Sequence, residues 1–415
     1  MRTFVKLMTL VVLFSLVVSC GGTPATTVAP PPPTTKPGDT PVPATEVPLS
    51  ADEQWLKDNQ LGAYFTLDQD WAAIEAAAKL EGKVTVYAGT SRIEDQIGIW
   101  NTVYPDIILD GYDADDIAIK MAAEHDAGNV IGDIWFEGDG MSLFGDLYPA
   151  GTVLPFIPSE YADVLPYSTE QPFAVARYGG DVWMYNRALN PDGCPITNWW
   201  QIVDGTWTKS IFYEDPLSEA DKISLLVTTI KHGDEMAAAY KDLNGKEWTT
   251  DKDYDAATTT NAGWLWVKKF AMASNKVYID GGDEIADAIG NLTMTKDAGI
   301  GNNSFSKLRL TLDGEVNQWW CEGLKPSAGT SAAAFLGIAM NAPHVNAAKL
   351  YIRFTLTEQG NAPWMVYGDW SGRSDVPPSE GAPAFADVGL WPDDGMLMFE
   401  IGSQVRDFWT INLGK

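Results

Sequence analysis

From residue 66 onward, apolar positions switch between a helical period and a strand period. Trp71, Ile74, Ala78 and Leu80 recur at helical spacing, behind a Thr66/Gln69 pair with capping-box spacing, and Gly82 ends the run. Residues 83–87 (KVTVY) read as a strand, followed by the sharp loop Gly89-Thr90-Ser91. Ser91 and Glu94 form a second capping-box pair; Ile93, Ile97, Trp100 and Tyr104 then keep helical spacing until Pro105. A short strand follows at 107–109. Asp113 with Asp116 opens a helix that carries Ile117, Met121 and Glu124 to Gly128. A strand at 130–136, interrupted by Gly132, completes the first run.

A second run repeats the theme. Strands are expected at 181–185 and 210–213, the latter ending in Glu214-Asp215-Pro216. Helices are expected over 218–230, 234–243 and 254–273. Asn302-Asn303-Ser304-Phe305 reads as a polar loop, and 331–340 as a buried strand of small apolar residues. Ala342-Pro343 opens a helix through Ala347, Leu350, Phe354 and Leu356, with Gly360 as its stop. Strands alternating with helices imply an α/β fold with a parallel sheet and crossover helices. Ligands of such sheets sit beyond strand C-termini, against helix N-termini. The loops Gly89-Thr90-Ser91 and Glu137-Gly138-Asp139-Gly140 are therefore the first site candidates.

The N-terminus has a different character. Arg2 and Lys6 precede an apolar run at 7–18, closed by Ser19 and Cys20, which is the shape of a secretory signal. Val17-Val18-Ser19-Cys20 resembles a bacterial lipobox, which implies acylation of Cys20 and an extracytoplasmic, lipid-anchored protein. Residues 21–50 hold nine Pro and seven Thr, too little apolar surface to fold, and read as a tether up to about 90 Å long.

Composition narrows the function. Hydrophobic residues make up 45% of 415, enough for two cores. A formal charge of −28 argues against nucleic acid, and suits a cationic ligand, a permease surface or solubility. Three His, none close to another, leave little room for a zinc site, and no cofactor is implied. Seventeen Trp are expected mostly in the core, including Trp264 and Trp266; Trp135, which precedes a candidate loop, is the best placed to meet ligand. Cys194 and Cys321 remain after Cys20; an exported protein permits their pairing without requiring it.

The stretch Val84-Thr85-Val86-Tyr87-Ala88-Gly89-Thr90-Ser91 resembles the opening strand and loop of bacterial extracellular solute-binding proteins of ABC importers, in the branch that includes ferric-ion binders. Gly132-Asp133-Ile134-Trp135, Asp215-Pro216 and the stretch from Asn341 through Ala342, Pro343 and His344 to Glu358-Gln359-Gly360 resemble further parts of that branch. The resemblance implies a two-lobed, type II periplasmic-binding-protein-like fold with crossing hinge strands and a ligand cleft. Its expected layout is a signal peptide at 1–19, an acylated Cys and tether at 20–50 and a lead-in helix at 51–82. Lobe 1 then occupies 83–170, the hinge crossing 171–185 and lobe 2 186–328. The chain returns to lobe 1 at 329–362, and 363–415 is unassigned. Expected partners are a small solute, an ABC permease with its ATPase, and the membrane through lipid, with a monomeric chain.

The expected ligand set is Thr90, Ser91 and Glu137 from one lobe and Asp215, Asn303 and Ser304 from the other. Ferric-ion binders of this branch place two adjacent Tyr in a loop where this chain has Ser304 and Phe305, so a small polar or anionic solute is expected before iron. Iron or a ferric chelate is the alternative within the family. A glycoside hydrolase with paired carboxylates in a Trp-rich cleft is the rival of another class. No G-x-S-x-G, H-E-x-x-H or phosphate-loop motif supports catalysis. A purely structural surface lipoprotein, without a cleft, is the third reading.

Overall fold

The computed structural model describes residues 48–415 except 115, 170, 219–220 and 294–298. The signal sequence, Cys20 and nearly all of the Pro/Thr-rich segment lie outside the described residues. Among the described residues, twelve strands form one sheet. They are β1 (Lys83–Ala88), β2 (Ile108–Asp113), β3 (Ile134–Glu137), β4 (Val153–Pro155), β5 (Ala174–Asn186) and β6 (Ile211–Tyr213). β7 (Lys276–Tyr278), β8 (Ile300–Ser304), β9 (Gln318–Trp320), β10 (Gly329–Ala339), β11 (Trp370–Ser371) and β12 (Leu390–Pro392) follow. The main path runs β2-β1-β3-β10-β5-β8-β6-β7.

The expected parallel sheet is in fact mixed. β1 pairs parallel with β2 and β3, and β6 pairs parallel with β7 and β8. Between these two groups, β5 and β10 run antiparallel to one another and to their outer neighbours β8 and β3. These two long strands cross from one hydrophobic core to another. Ala174, Val175 and Ala176 of β5, with Leu336 and Ile338 of β10, join a core that includes Val84, Val86, Trp100, Ile134 and Leu350. Further along β5, Trp183 and Tyr185 join a second core with Trp199, Trp266 and Phe270, while Val182 and Met184 pack with Ile285, Ile289 and Phe305. A Cβ on Gly329 would lie 1.8 Å from the Asp181 carbonyl oxygen, so the crossing strands approach too closely there for any side chain.

Local chemistry moves several expected boundaries. The Thr66/Gln69 capping box does not form: Thr66 Oγ1 accepts from Asp68 N, and Asp70 caps the helix Trp71–Glu81 through Ala73 N. Nor does Ser91 cap the helix Ile93–Val103; instead, Thr90 Oγ1 accepts from Arg92 N at 3.3 Å. Asp116 precedes the helix Ile117–Asp126 without a side-chain cap. The helix expected over 254–273 is confined to Ala262–Met272. Asp251 and Asp255 accept from Asp253 N and Ala257 N, turns that compete with helix, and Asn261 caps the later start through Trp264 N. Trp135 is fully buried in the first core, away from solvent, while Trp264 and Trp266 are core residues as expected. The unassigned C-terminus contains the helix Gly395–Asn412, whose Met398, Val405 and Trp409 enter the second core.

Lys349, in the helix Val345–Thr355, is 5% exposed. Its ammonium donates to Asn59 O and lies 5.6 Å from the centre of the Phe156 ring. Burial lowers its pKa to about 8, against the opposing pull of Glu81. The native state then releases this proton at lower pH than the unfolded chain does, so stability rises between pH 8 and the ordinary lysine range. Relative to Lys349→Met, the wild type is expected to gain on the order of 1–2 kcal/mol between pH 7.5 and 9.5, read from urea midpoints. Parallel pH profiles for the two proteins would refute the assignment.

Candidate functional site

The C-terminal ends of β1 and β3, the middle of the crossing strands and the end of β8 face one cleft. It comprises two chambers of about 880 and 870 Å³ that share Glu137, Asp181, Ser304 and Lys307. The Glu137 carboxylate lies over the backbone at Gly89, just past β1: a Cβ there would fall 1.3 Å from one of its oxygens, so a larger residue would displace the Glu137 side chain. Glu137 Oε1 accepts from the adjacent Gly138 N at 2.6 Å.

Thr90 and Ser91 line the first chamber, Glu137 and Ser304 line both, and Asn303 lines the second. The expected polar loop is the end of β8: Asn303 is 4% exposed and largely committed, donating to Gly282 O at the start of the helix Gly282–Gly290 and accepting from Ser304 N, each at 2.9 Å. Ser304 Oγ lies 3.0 Å from Ser306 Oγ. Asp215 lines neither chamber; its carboxylate accepts from Leu217 N at 3.0 Å, and the adjacent Glu214 faces the second chamber instead. Trp is absent from the described lining of both chambers, which removes the Trp-rich cleft that a glycosidase reading assumed. The aromatic lining is Phe144, Tyr178, Tyr213, Phe335 and Phe385.

Beside Arg92, which the sequence offered either as a charge at the site or as a solvent-facing residue, several lining residues escaped the sequence reading. Arg92 Nη1 lies 2.8 Å from Asp369, and Arg177 Nη1 lies 3.5 Å from the other oxygen of that carboxylate, which is almost wholly buried. Lys307 and Arg309 share Asp283 at 2.9 and 3.3 Å. Tyr178 stacks on Phe385 with centroids 4.9 Å apart and planes 20° apart. Burial raises the pKa of both Tyr178 and Tyr213, so neither is poised as a phenolate at neutral pH. A signal for Arg177 was present: Arg177 and Asp181 are two charged residues flanking Tyr178-Gly179-Gly180 inside the apolar stretch at 174–185.

Among the described residues, no group of three His, Cys, Asp or Glu side chains is arranged to hold a metal ion. No family model and no curated protein matches the chain. Solved structures do match. The periplasmic binding protein P5PA superposes with a TM-score of 0.59 at 16% identity, covering 80% of this chain and 99% of its own. Iron-bound HitA from Pseudomonas aeruginosa gives 0.58 at 14% identity over 80% and 99%. AfuA from Actinobacillus pleuropneumoniae, with fructose-6-phosphate bound, gives 0.59 at 13% identity over 80% and 98%. At these identities the likeness is one of architecture: the chain has the type II periplasmic-binding-protein fold.

Proposed function

We propose that this chain is the solute-capturing subunit of an ABC importer, which takes a small polar or anionic solute into the cleft, closes around it and delivers it to a permease without making or breaking a bond. One observation carries the reading: loops from two separate cores, Thr90-Ser91 and Glu137 on one side and Ser304 and Lys307 on the other, meet across two strands that join those cores. Two antiparallel crossings with a glycine-tight contact form a hinge around which the two sides rotate. In this reading, 83–170 and 329–362 form one lobe, 186–328 the other, and the helix Gly395–Asn412 belongs to the second. Cys20 carries lipid, and the Pro/Thr-rich segment holds the lobes off the membrane. The iron-bound and fructose-6-phosphate-bound structures of the same fold support a binding role over catalysis.

Ser91→Trp and Ser304→Trp are expected to weaken solute binding at least tenfold each, with far-UV circular dichroism unchanged. The ligand is first identified by thermal-shift screening, since a solute bound only to the native state raises the melting temperature. Unchanged affinity in both variants would remove these residues from the site. Small-angle scattering should show contraction on saturation, and loss of fatty-acid labelling in Cys20→Ala would establish the anchor.

A further inference from the structure

The two chambers differ in chemistry, and the difference constrains the solute. Each is far larger than a single ion needs and falls within the range of organic-ligand pockets. The first is polar, bounded by the Thr90-Ser91 loop, Arg177, Arg309 and Asp369. The second has apolar walls from Phe144, Phe335, Phe385, Leu225, Met396 and Met398.

Within the second chamber, two polar groups lack partners. Asn302 is 7% exposed, and its Nδ2 is buried without a hydrogen bond. Ser224 Oγ, at the start of the helix Ser224–Lys231, is likewise buried and unpartnered. The register Ile211↔Ile300 and Phe212↔Gly301 sets Tyr213 beside Asn302, and the Tyr213 hydroxyl reaches Lys222 O only at 3.5 Å. Other buried groups of the molecule also lack partners, but Asn302 and Ser224 line the same ligand-sized chamber, where a bound solute can supply the missing hydrogen bonds. An amide N–H needs an acceptor, and a serine hydroxyl takes either role. A ligand hydroxyl or carboxamide serves both.

Charge supplies a second constraint. Among the described lining residues of the two chambers, ten carboxylates face six basic side chains. Arg92, Arg177, Lys307 and Arg309 are already held by Asp369 and Asp283. A cleft of net negative charge, in a chain of −28, opposes a multiply charged anion and favours a cation. The stacked Tyr178 and Phe385 add ring faces for an organic cation or a flat apolar body.

We infer that the solute is a hydroxyl- or carboxamide-bearing organic amine, with its polar neutral group buried against Asn302 and Ser224 and its apolar body between the aromatic walls of the second chamber. This rests on the capture reading above and narrows it to the polar, non-anionic branch.

Three probes isolate the two constraints. Tyramine carries a ring, a hydroxyl and an amine; phenethylamine lacks the hydroxyl; 3-(4-hydroxyphenyl)propionate reverses the charge. Titration calorimetry on the folded chain should show tyramine binding at least tenfold tighter than either. It should also outrank inorganic phosphate, fructose 6-phosphate and ferric citrate. Asn302→Leu should erase the preference for tyramine over phenethylamine, and Ser224→Ala, a milder change at a helix start, should reduce it if the first variant does not fold. Absence of tyramine binding, tighter binding of any of the anions, or an unchanged tyramine-to-phenethylamine ratio in the variants overturns the proposal. An anion that binds and contracts the molecule in scattering overturns the solute class and leaves capture standing. Conversion of a bound probe to product would instead overturn capture itself.

Discussion

Replacing Cys194 and Cys321 together by alanine is expected to lower the stability of the folded chain by about 4–5 kcal/mol, the loss of loop-closure entropy for a bridge of this span. The two residues form a disulfide across 127 positions of sequence, with their Cα atoms 5.1 Å apart. Cys321 is fully buried in the second core, and Cys194 packs against that core. The bridge links the segment after β5 to the turn after β9, two strands already paired at Met184↔Trp320. It therefore constrains the unfolded chain far more than it adds native contacts. Dithiothreitol should bring the wild type to the stability of the double variant and leave the variant unchanged. A difference below about 1 kcal/mol between oxidised and reduced wild type would show that the bridge contributes little.

Much of the first half of the fold was legible in sequence because its elements are local and bury one face. Trp71, Ile74 and Ala78 mark the helix Trp71–Glu81, and KVTVY marks β1. The crossing strand β5 was legible only from 181 to 185, although it spans thirteen residues. Its centre, Arg177 to Gly180, has little core to bury because it faces the cleft, so no apolar alternation survives there. The helix Gly395–Asn412 did carry a signal. Met398, Gly402, Val405, Trp409 and Asn412 are spaced four, three, four and three residues apart, which is one helical face. Its small and polar members disguise that stripe in a reading that weighs apolar residues alone.

The site divides in the same way. Thr90, Ser91 and Glu137 follow from a positional rule about strand ends, Ser304 from the resemblance to ferric-ion binders, and the cleft brings all four together. Asn302, Tyr178 and Phe385 follow from no local rule. Tyr178 and Phe385 stack across more than two hundred residues of sequence, and Asn302 is distinguished only by the absence of a partner for its buried amide. Asp215 shows the limit of the rule: it lies two residues past the end of β6, but the turn it opens takes up its carboxylate.

Asp133→Ala is expected to cost about 3–5 kcal/mol, the range for removing one member of a buried charged network. Asp133 is fully buried just before β3. Its carboxylate accepts from Thr85 N at 2.7 Å and His344 N at 2.8 Å, and lies 2.9 Å from His344 Nδ1. One side chain thus ties β1 to the start of the helix Val345–Thr355, more than two hundred residues away. Burial holds its carboxyl above the usual carboxylate range despite those donors. Alanine would leave two backbone amides facing a cavity without an acceptor. Asp133→Asn, which keeps an acceptor oxygen and the volume, should lose less than half as much. Urea unfolding and hydrogen exchange at the Thr85 and His344 amides measure both variants. A loss under about 1 kcal/mol for alanine would mean that water or a shifted side chain replaces the carboxylate. Because β1 leads directly into Gly89-Thr90-Ser91, the alanine variant should also bind solute more weakly while still folded, which links a buried anchor to the rim of the cleft.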